Sequence, residues 1–272
     1  MGSLSNFSEN ELLDHVFNAA YTAPTTIYLA LCTADPTDAG TGASMNEVAN
    51  SGSYARKAIT VGAASSRRVT QNADVTFDQS TGAWGTVTHW AVVDSATYGA
   101  GNMLAHGAFG TSKSVVTSNT PSVASGEVYV EISAGVASNY LANNWLDLMF
   151  RNQTFTKPAT YVGLTTATVA DTNTGSTITE PSGNGYARVQ VNINGGSTPV
   201  WTVASGGALS NSDDVDLGPA SGSWGTITSM VIVDASSAGN LLMYDNTNVV
   251  DQAVGDGDSV SFPAGDLDVS LS

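Results

Sequence analysis

The chain has 272 residues, and 24 Asp or Glu against 8 Lys or Arg give it a formal net charge of −16 at pH 7. This excess of carboxylates argues against nucleic-acid binding, because contact with a phosphate backbone requires clustered cations. Charged residues are only 12% of the chain, against roughly 25% in ordinary soluble domains, and no apolar run reaches the roughly 18 residues of a membrane span.

The first predicted element is an amphipathic helix. Apolar residues between Leu4 and Ala20 recur at near-helical spacing, and Ser5 is its predicted N-cap. No signal-peptide pattern is recognised in this N-terminal stretch. Pro24 ends the helical pattern, and the apolar run that follows is typical of a buried strand. Cys32 lies in that run and is interpreted as a small buried hydrophobe rather than a reactive thiol.

Strand and turn patterns occupy the rest of the first half. The strongest β-run, Val87–Val93, is entered through Trp84-Gly85-Thr86 and followed by Asp94. Gly101-Asn102 is predicted to complete the turn that Asp94 begins. Val128–Ile132 alternates as a half-buried strand should.

The second half repeats these signals in the same order. A second amphipathic helix with Ser138 as its predicted N-cap precedes Pro158. Matched residues are 132 positions apart at Tyr54 and Tyr186 and 140 apart at Trp84 and Trp224, as loop insertions would produce. Repeats of solenoids and propellers are roughly 20 to 50 residues long, so this period indicates a duplicated whole domain.

The repeat predicts two domains, 1–134 and 137–272, joined by a connector of about four residues. The predicted class is all-β, with two tandem antiparallel β-sandwich or jelly-roll-like domains, each preceded by one short amphipathic α-helix. We also expect residues 1–134 to fold alone.

Residues that recur in both halves are candidates for a structural role. The Trp pair is interpreted as aromatic plugs against the sandwich, in preference to exposed sugar-binding rings. Each recurring arginine is expected to pair with a carboxylate or to hydrogen-bond backbone carbonyls. These predicted structural anchors are Tyr54, Arg56, Trp84, Tyr186, Arg188 and Trp224.

Catalytic chemistry has little support. The histidines could in principle join Asp14 or Asp94 and a serine in a triad, but they have no matching histidine in the other repeat. His15, His89 and His106 correspond to Leu148, Ser229 and Tyr244. No nucleophile elbow, zinc-protease motif or phosphate loop is present. We therefore predict no catalytic and no cofactor-binding residues.

Acidic clusters are the only candidates for metal binding. Asp213-Asp214-Val215-Asp216 and Asp256-Gly257-Asp258 have the oxygen ligands that calcium prefers, but neither has the spacing of an EF-hand loop. No metal site is predicted, and Asp256 and Asp258 are the places to look if calcium binds. Pairs of Asp that could serve a glycosidase are too common here to be specific.

Several motifs resemble small structural proteins encoded by tailed bacteriophages, often labelled tail fibre proteins, which usually carry one such domain. The motifs are Leu12-Leu13-Asp14-His15-Val16-Phe17, Tyr21-Thr22-Ala23-Pro24, Tyr28-Leu29-Ala30-Leu31, the run from Thr33 to Gly40, Tyr54-Ala55-Arg56 and the run from Trp84 to Trp90. The resemblance covers residues 4–133 closely and 138–272 more loosely. It implies a virion component without catalytic activity.

The sequence thus favours a non-enzymatic virion structural protein on the particle exterior, a capsid decoration, cement or head-fibre-type protein assembled in the host cytoplasm. A tail fibre or baseplate protein that binds host glycan is the alternative, and a glycan-cleaving depolymerase is a third class. Expected partners are the major capsid protein or tail and baseplate proteins, with homo-oligomers, and neither nucleic acid nor membrane insertion is expected.

Overall fold

The chain divides into two compact units. The structure is a computed structural model that describes residues 2–249 and 251–271. Unit 1 consists of the described residues up to Glu9, Thr22–Ile132 and Asn143–Phe155. Unit 2 consists of Asn10–Tyr21, Ser133–Ala142 and the described residues from Thr156 onward. Met1 and Ser272, the ends of the predicted domains 1–134 and 137–272, lie outside the described residues, as does Val250.

Each repeat has one α-helix near its start, which in the first repeat follows a short strand at Gly2–Leu4, and both predicted N-caps are confirmed. The helices are α1 (Asn6–Phe17) and α2 (Asn139–Arg151). Ser5 Oγ accepts a hydrogen bond from Ser8 N (3.3 Å), and Ser138 Oγ accepts one from Leu141 N (3.1 Å). Among the described residues, no helix combines the length and apolarity needed to cross a membrane.

Both helices pass from one unit into the other. In α1, Glu9 is the last residue of the unit 1 segment and Asn10 the first residue of the unit 2 segment. In α2, Ala142 belongs to unit 2 and Asn143 to unit 1. The helix of each repeat therefore begins in the unit that holds the strands of its own repeat and ends in the unit that holds the strands of the other. The sequence boundary between the repeats stays a prediction.

Unit 1 is built on a seven-stranded sheet with the order β3-β2-β6-β7-β1-β9-β4, and β5 pairs with β8. Its pairings are antiparallel except for one parallel bridge between Gly2 and Val130. The strands are β1 (Gly2–Leu4), β2 (Ile27–Cys32), β3 (Lys57–Ile59), β4 (Arg68–Thr70), β5 (Val75–Thr76), β6 (Gly85–Val93), β7 (Met103–Val115), β8 (Ser122–Val123) and β9 (Tyr129–Glu131).

Unit 2 contains a four-stranded sheet with the order β11-β10-β15-β16 and three two-stranded pairs, β12-β19, β13-β18 and β14-β17. The strands are β10 (Tyr161–Thr165), β11 (Val189–Gln190), β12 (Ala208–Leu209), β13 (Val215–Leu217), β14 (Gly225–Ile227), β15 (Ser229–Val233), β16 (Leu241–Asp245), β17 (Gln252–Val254), β18 (Val260–Phe262) and β19 (Val269–Ser270).

The strand pairings of the two units correspond. The β4-β9 and β5-β8 pairs of unit 1 recur as β12-β19 and β13-β18. The long β6-β7 hairpin recurs as β15-β16 and β14-β17. The prediction of two tandem β-sandwich-like repeats, each with one short helix, is therefore confirmed.

One face of each main sheet forms an apolar cluster with a residue of a following loop. The loop follows β2 in unit 1 and β10 in unit 2. Cys32 is fully buried there, as the apolar run around it predicts, and burial raises the pKa of its thiol. The cluster in unit 1 contains Ala30, Cys32, Met45, Ala91, Val93 and Met103. The corresponding cluster in unit 2 contains Val169, Val231, Val233, Leu241 and Tyr244.

Candidate functional site

A buried arginine organises the loops at one end of unit 1. The side chains of Arg56 and Glu47 are 0% and 4% exposed and form a bidentate pair, Nε to Oε1 at 2.9 Å and Nη2 to Oε2 at 2.8 Å. The remaining donors reach carbonyl oxygens of Ser95 (2.9 Å), Ala100 (2.8 Å) and Gly42 (2.7 Å). All five guanidinium N–H groups are used.

Unit 2 contains the same network. Arg188 pairs with Glu180 at 2.8 Å and 2.7 Å, again through Nε and Nη2. Its other donors reach the carbonyl oxygens of Ala235 (2.7 Å), Ala238 (2.8 Å) and Gly175 (2.8 Å). Each arginine therefore both pairs with a carboxylate and ties three loop carbonyls together.

The sequence reasoning missed the two glutamates. Glu47 precedes Arg56 by nine residues and Glu180 precedes Arg188 by eight, so a recurring acid upstream of Tyr-Ala-Arg was the available signal. The spacing varies by one residue, and both acids lie in loops without a periodic pattern. Motif spacing therefore does not indicate these glutamates, whereas their recurrence upstream of Tyr-Ala-Arg in both repeats does.

Tyrosine and tryptophan complete the network in unit 1. Tyr54 Oη donates to Glu47 Oε1 (2.8 Å) and accepts from Leu31 N (3.0 Å), which ties the network to β2. Burial, followed by the nearby Glu47, raises the pKa of Tyr54. Trp84 is 5% exposed and donates from Nε1 to Gly52 O (2.8 Å), and its ring contacts Tyr54 edge-on at 5.2 Å.

The matching residues of unit 2 have the same contacts. Tyr186 Oη donates to Glu180 Oε1 (2.8 Å) and accepts from Leu164 N (2.8 Å), and burial raises its pKa. Trp224 is 3% exposed, donates to Asn184 O (2.9 Å) and contacts Tyr186 edge-on at 5.3 Å. Because both Trp rings are buried, neither offers a face on which a sugar could stack.

The turn after each long central strand is also repeated. Asp94 accepts hydrogen bonds from the backbone N (2.7 Å) and side-chain Nδ2 (2.8 Å) of Asn102. Asp234 and Asn240 form the same pair, both at 2.6 Å. In the turn of unit 1, Gly101 lies between Asp94 and Asn102 in the sequence and has φ +80°. An added Cβ at Gly101 would overlap Asp94 Oδ1. The turn prediction for Asp94 and Gly101-Asn102 is confirmed.

Two of the three histidines have local backbone or side-chain partners. His15 Nδ1 accepts a hydrogen bond from Tyr21 N (3.0 Å), and His89 Nδ1 lies 2.8 Å from Thr88 Oγ1. Asp94, considered above as a triad member, is occupied by Asn102. His15, His89 and Asp94 therefore make local hydrogen bonds that order nearby segments of the chain.

His106 lies in a carboxylate-rich cluster of unit 1. Its Nε2 is 2.9 Å from Asp38 Oδ1 and its Nδ1 is 3.3 Å from Asp35 Oδ1. Glu9 is 6% exposed, and its pKa is raised by burial and by Asp38, while His106 opposes the rise. Tyr244 takes the place of His106 in unit 2.

In unit 2 the counterpart of His106 is Tyr244, whose Oη donates a hydrogen bond to Asp171 Oδ1 (2.5 Å). This position therefore keeps a side-chain bond to the loop in both units while its chemistry differs.

The acidic turns hold the backbone of unit 2. Asp258 Oδ2 accepts from Gly255 N (2.8 Å), and Asp214 Oδ1 accepts from Ala264 N (3.1 Å). Asp256 is exposed. Within residues 2–249 and 251–271, no three His, Cys, Asp or Glu side chains are placed to hold a metal ion together.

The two units differ in a cavity at one matched position. In unit 2 a cavity of about 390 Å³ lies between β17, β18 and the end of β16. Its polar lining includes Asp245, Asn248, Gln252 and Asp266, and Phe262 forms part of the wall. Burial raises the pKa of Asp245, but hydrogen bonds from residues 247 and 248 outweigh that effect, so the pKa is lowered overall.

The matching position of unit 1 is nearly filled. There the space is about 20 Å³, and Phe109 and Lys113 of β7 line it together with Leu31 and Val87. The irregular register between Val87 and His89 brings these β7 residues to this position. The pocket is thus a property of one unit and not of the fold.

The fold is β-rich, and the polar residues that the two units share bond to loops of their own unit. The family described as podophage GP4 fiber I protein gp80 matches residues 3–131 and again residues 136–270. The chain belongs to this family, which it contains twice. The resemblance to phage fibre proteins and the tandem duplication are both confirmed. No curated protein gives a match.

Family membership establishes the coarse role. The chain is a phage virion fibre protein, associated with the virion and with other virion components.

Proposed function

We propose that the chain is a non-enzymatic structural protein on the exterior of the virion, where it serves as a capsid decoration, cement or head-fibre-type protein. One observation carries this proposal: in both units the shared buried polar side chains bond to the chain's own backbone. Arg56 and Arg188 retain no N–H group for a substrate. A fibre family that covers both repeats supports the same role.

The proposed action is docking through exposed surface. Specific protein interfaces bury on the order of 1,600 Å² in total, and two linked units offer two related surfaces at high effective concentration. The repeats share their interior networks and differ at positions such as His106 and Tyr244, so attachment is expected where they differ. The proposed partners are the major capsid protein and further copies of this chain, assembled in the host cytoplasm.

Reconstitution on particles that lack this chain tests the proposal. Purified protein is added separately to tailless heads and to isolated tails, and each mixture is sedimented. We expect saturable co-sedimentation with heads. Heads that already carry the protein are the matched control and should bind no more. Binding to tails alone would overturn the capsid placement.

The second candidate is a tail fibre or baseplate protein that binds host glycan, and the unit 2 cavity favours it. The cavity of about 390 Å³ is lined by apolar side chains together with amide and carboxylate groups. Its size falls in the range of small-ligand pockets, roughly 300 to 1,000 Å³. A sugar ring could pack on Phe262 while Gln252 and Asp266 hydrogen-bond its hydroxyl groups.

A glycan array tests this alternative, with Gln252→Ala as the pocket variant and Asp256→Ala as the control at an exposed position outside the cavity. Binding that Gln252→Ala abolishes and Asp256→Ala preserves would favour the receptor role. Release of shortened glycan would indicate a depolymerase. An array without signal would exclude both for the glycans present.

A further inference from the structure

A segment of α2 completes unit 1. Asp147 Oδ1 accepts a hydrogen bond from Ala64 N (2.8 Å), and Asn143 Oδ1 accepts one from Arg67 N (2.9 Å). Both acceptors lie one turn apart on the helix, and both donors lie in the turn that joins β3 to β4. The helix of the second repeat therefore fastens a turn of the first repeat.

A segment of α1 completes unit 2 in the same manner. Asp14 Oδ1 accepts from Ala204 N (2.9 Å), and Asn10 Oδ1 accepts from Gly207 N (2.9 Å). These donors lie in the turn between β11 and β12. Here the helix of the first repeat fastens a turn of the second.

The two sets of contacts use matching residues, with the helix and the turn supplied by opposite repeats in each case. Leu13-Asp14 with Phe17 matches Leu146-Asp147 with Phe150 in sequence. The two fastened turns also match, because each closes with a bridge, Ser65 to Arg68 in unit 1 and Ser205 to Ala208 in unit 2. Each surface therefore recognises features that every copy of this repeat carries.

Apolar packing accompanies the polar contacts. In unit 2, Phe17 of α1 is fully buried and meets Trp201 edge-on at 4.9 Å. In unit 1, Trp145 and Met149 of α2 are fully buried. A repeat without a helix from another repeat would expose this apolar surface to water.

We infer that each repeat carries a helix-binding surface whose partner is the helix of another copy, and that the chain is the single-chain form of a helix-exchanged dimer. The connector between the repeats keeps both exchanges within one molecule. When the connector is cut, the exchanged helices continue to hold the two halves together. Between two molecules the same surfaces would accept each other's helices.

Cleavage of the full chain tests the inference. A protease site is inserted between Ala134 and Gly135, which are both exposed, and the folded protein is cut there. We expect the two fragments to co-elute at the size of the uncut chain under native conditions and to separate only in denaturant. Separate elution of two folded fragments would overturn the inference.

Disulfide trapping distinguishes exchange from simple adhesion of the two halves. In the cleavable chain, Asp14→Cys with Ala204→Cys should link the fragments into one band without reductant. The matched control is Asp14→Cys with Ala64→Cys, which combines the same helix position with the corresponding turn of its own repeat. If the helices are exchanged, this control pair should form no disulfide. A disulfide in the control with none in the 14/204 pair would show that the helices are not exchanged.

Discussion

Arg56 and Glu47 form a buried ion pair, and the remaining N–H groups of Arg56 are bonded to backbone carbonyls. Removing one member of a buried pair leaves the other charge uncompensated, which costs about 3–5 kcal/mol. An exposed pair contributes about 0–1 kcal/mol. The two classes occur close together in unit 1, because Lys57 and Asp78 form a pair whose side chains are 26% and 62% exposed.

Arg56→Met should therefore lower the free energy of unfolding by about 3–5 kcal/mol, as measured by urea denaturation. Arg188→Met should have a similar effect through unit 2. Lys57→Ala is the control and should cost less than about 1 kcal/mol. A cost for Arg56→Met as small as that of Lys57→Ala would contradict a structural role for the network.

Glu9 predicts a dependence of stability on pH. Because burial and Asp38 raise its pKa in the folded state, the folded chain holds this proton more tightly than the unfolded chain does. The stability contributed by protonated Glu9 is complete below its unfolded pKa of about 4.3. It is lost as pH rises through the raised folded pKa.

Glu9→Gln removes this ionisation, so the variant should be more stable than the parent at pH 7 and the difference should shrink towards pH 4. Asp38 and His106 remain in both proteins. Urea denaturation across this pH range measures the difference, with Glu127→Gln at an exposed acid as the control. A difference that does not vary with pH would contradict the assignment.

The turns that the helices fasten show how the same element is built with different residues. In unit 2 the central residues are Gly206 and Gly207, at φ +62° and +75°. In unit 1 they are Ser66 and Arg67, at φ +49° and +68°. Positive φ at both positions is typical of a type I′ turn and favours glycine.

Ser66→Gly should therefore stabilise the chain by on the order of 1 kcal/mol, because an L-residue in the left-handed region is strained. Gly206→Ser is the reciprocal variant. An added Cβ at that position meets no atom within 4 Å, so backbone strain alone should act there and destabilise the chain by a similar amount. Thermal unfolding of both variants measures the effect. Equal signs for the two would show that contacts, and not backbone strain, decide it.

At this scale much of the fold could be predicted. Ser5 and Ser138 were recognisable as N-caps because their side-chain chemistry acts within one turn of the chain. Arg56 stood out because it recurs, but its partner Glu47 did not, since loop geometry has no period. The cavity of unit 2 could not be predicted either. Its presence depends on whether side chains such as Phe109 of β7 in unit 1 fill the matching space.

The arrangement of the whole molecule was the least predictable feature. A helical face such as that of α1 shows that the helix must pack, but it does not show on which repeat. Because the repeats share the contact residues, packing within a repeat and exchange between repeats satisfy the same sequence pattern. The turns that would accept the helix carry no periodic signal either.

The exchange also sharpens the expectation that residues 1–134 fold alone. This fragment lacks residues 143–155, which complete unit 1, and it carries an α1 segment with no unit 2 to receive it. We predict a folded dimer of two such fragments. The fragment 1–155, which supplies the missing segment, should be a monomer, and light scattering after gel filtration distinguishes the two. A folded monomer of 1–134 would contradict this prediction.

We propose that this fibre-family protein acts on the exterior of the capsid. Immunogold labelling of intact virions with antibodies against the chain tests it most directly, because heads and tails are readily distinguished by electron microscopy. The proposal predicts gold particles distributed over the outer surface of the head. Gold confined to the tail or its tip would contradict it and would favour the receptor-binding alternative.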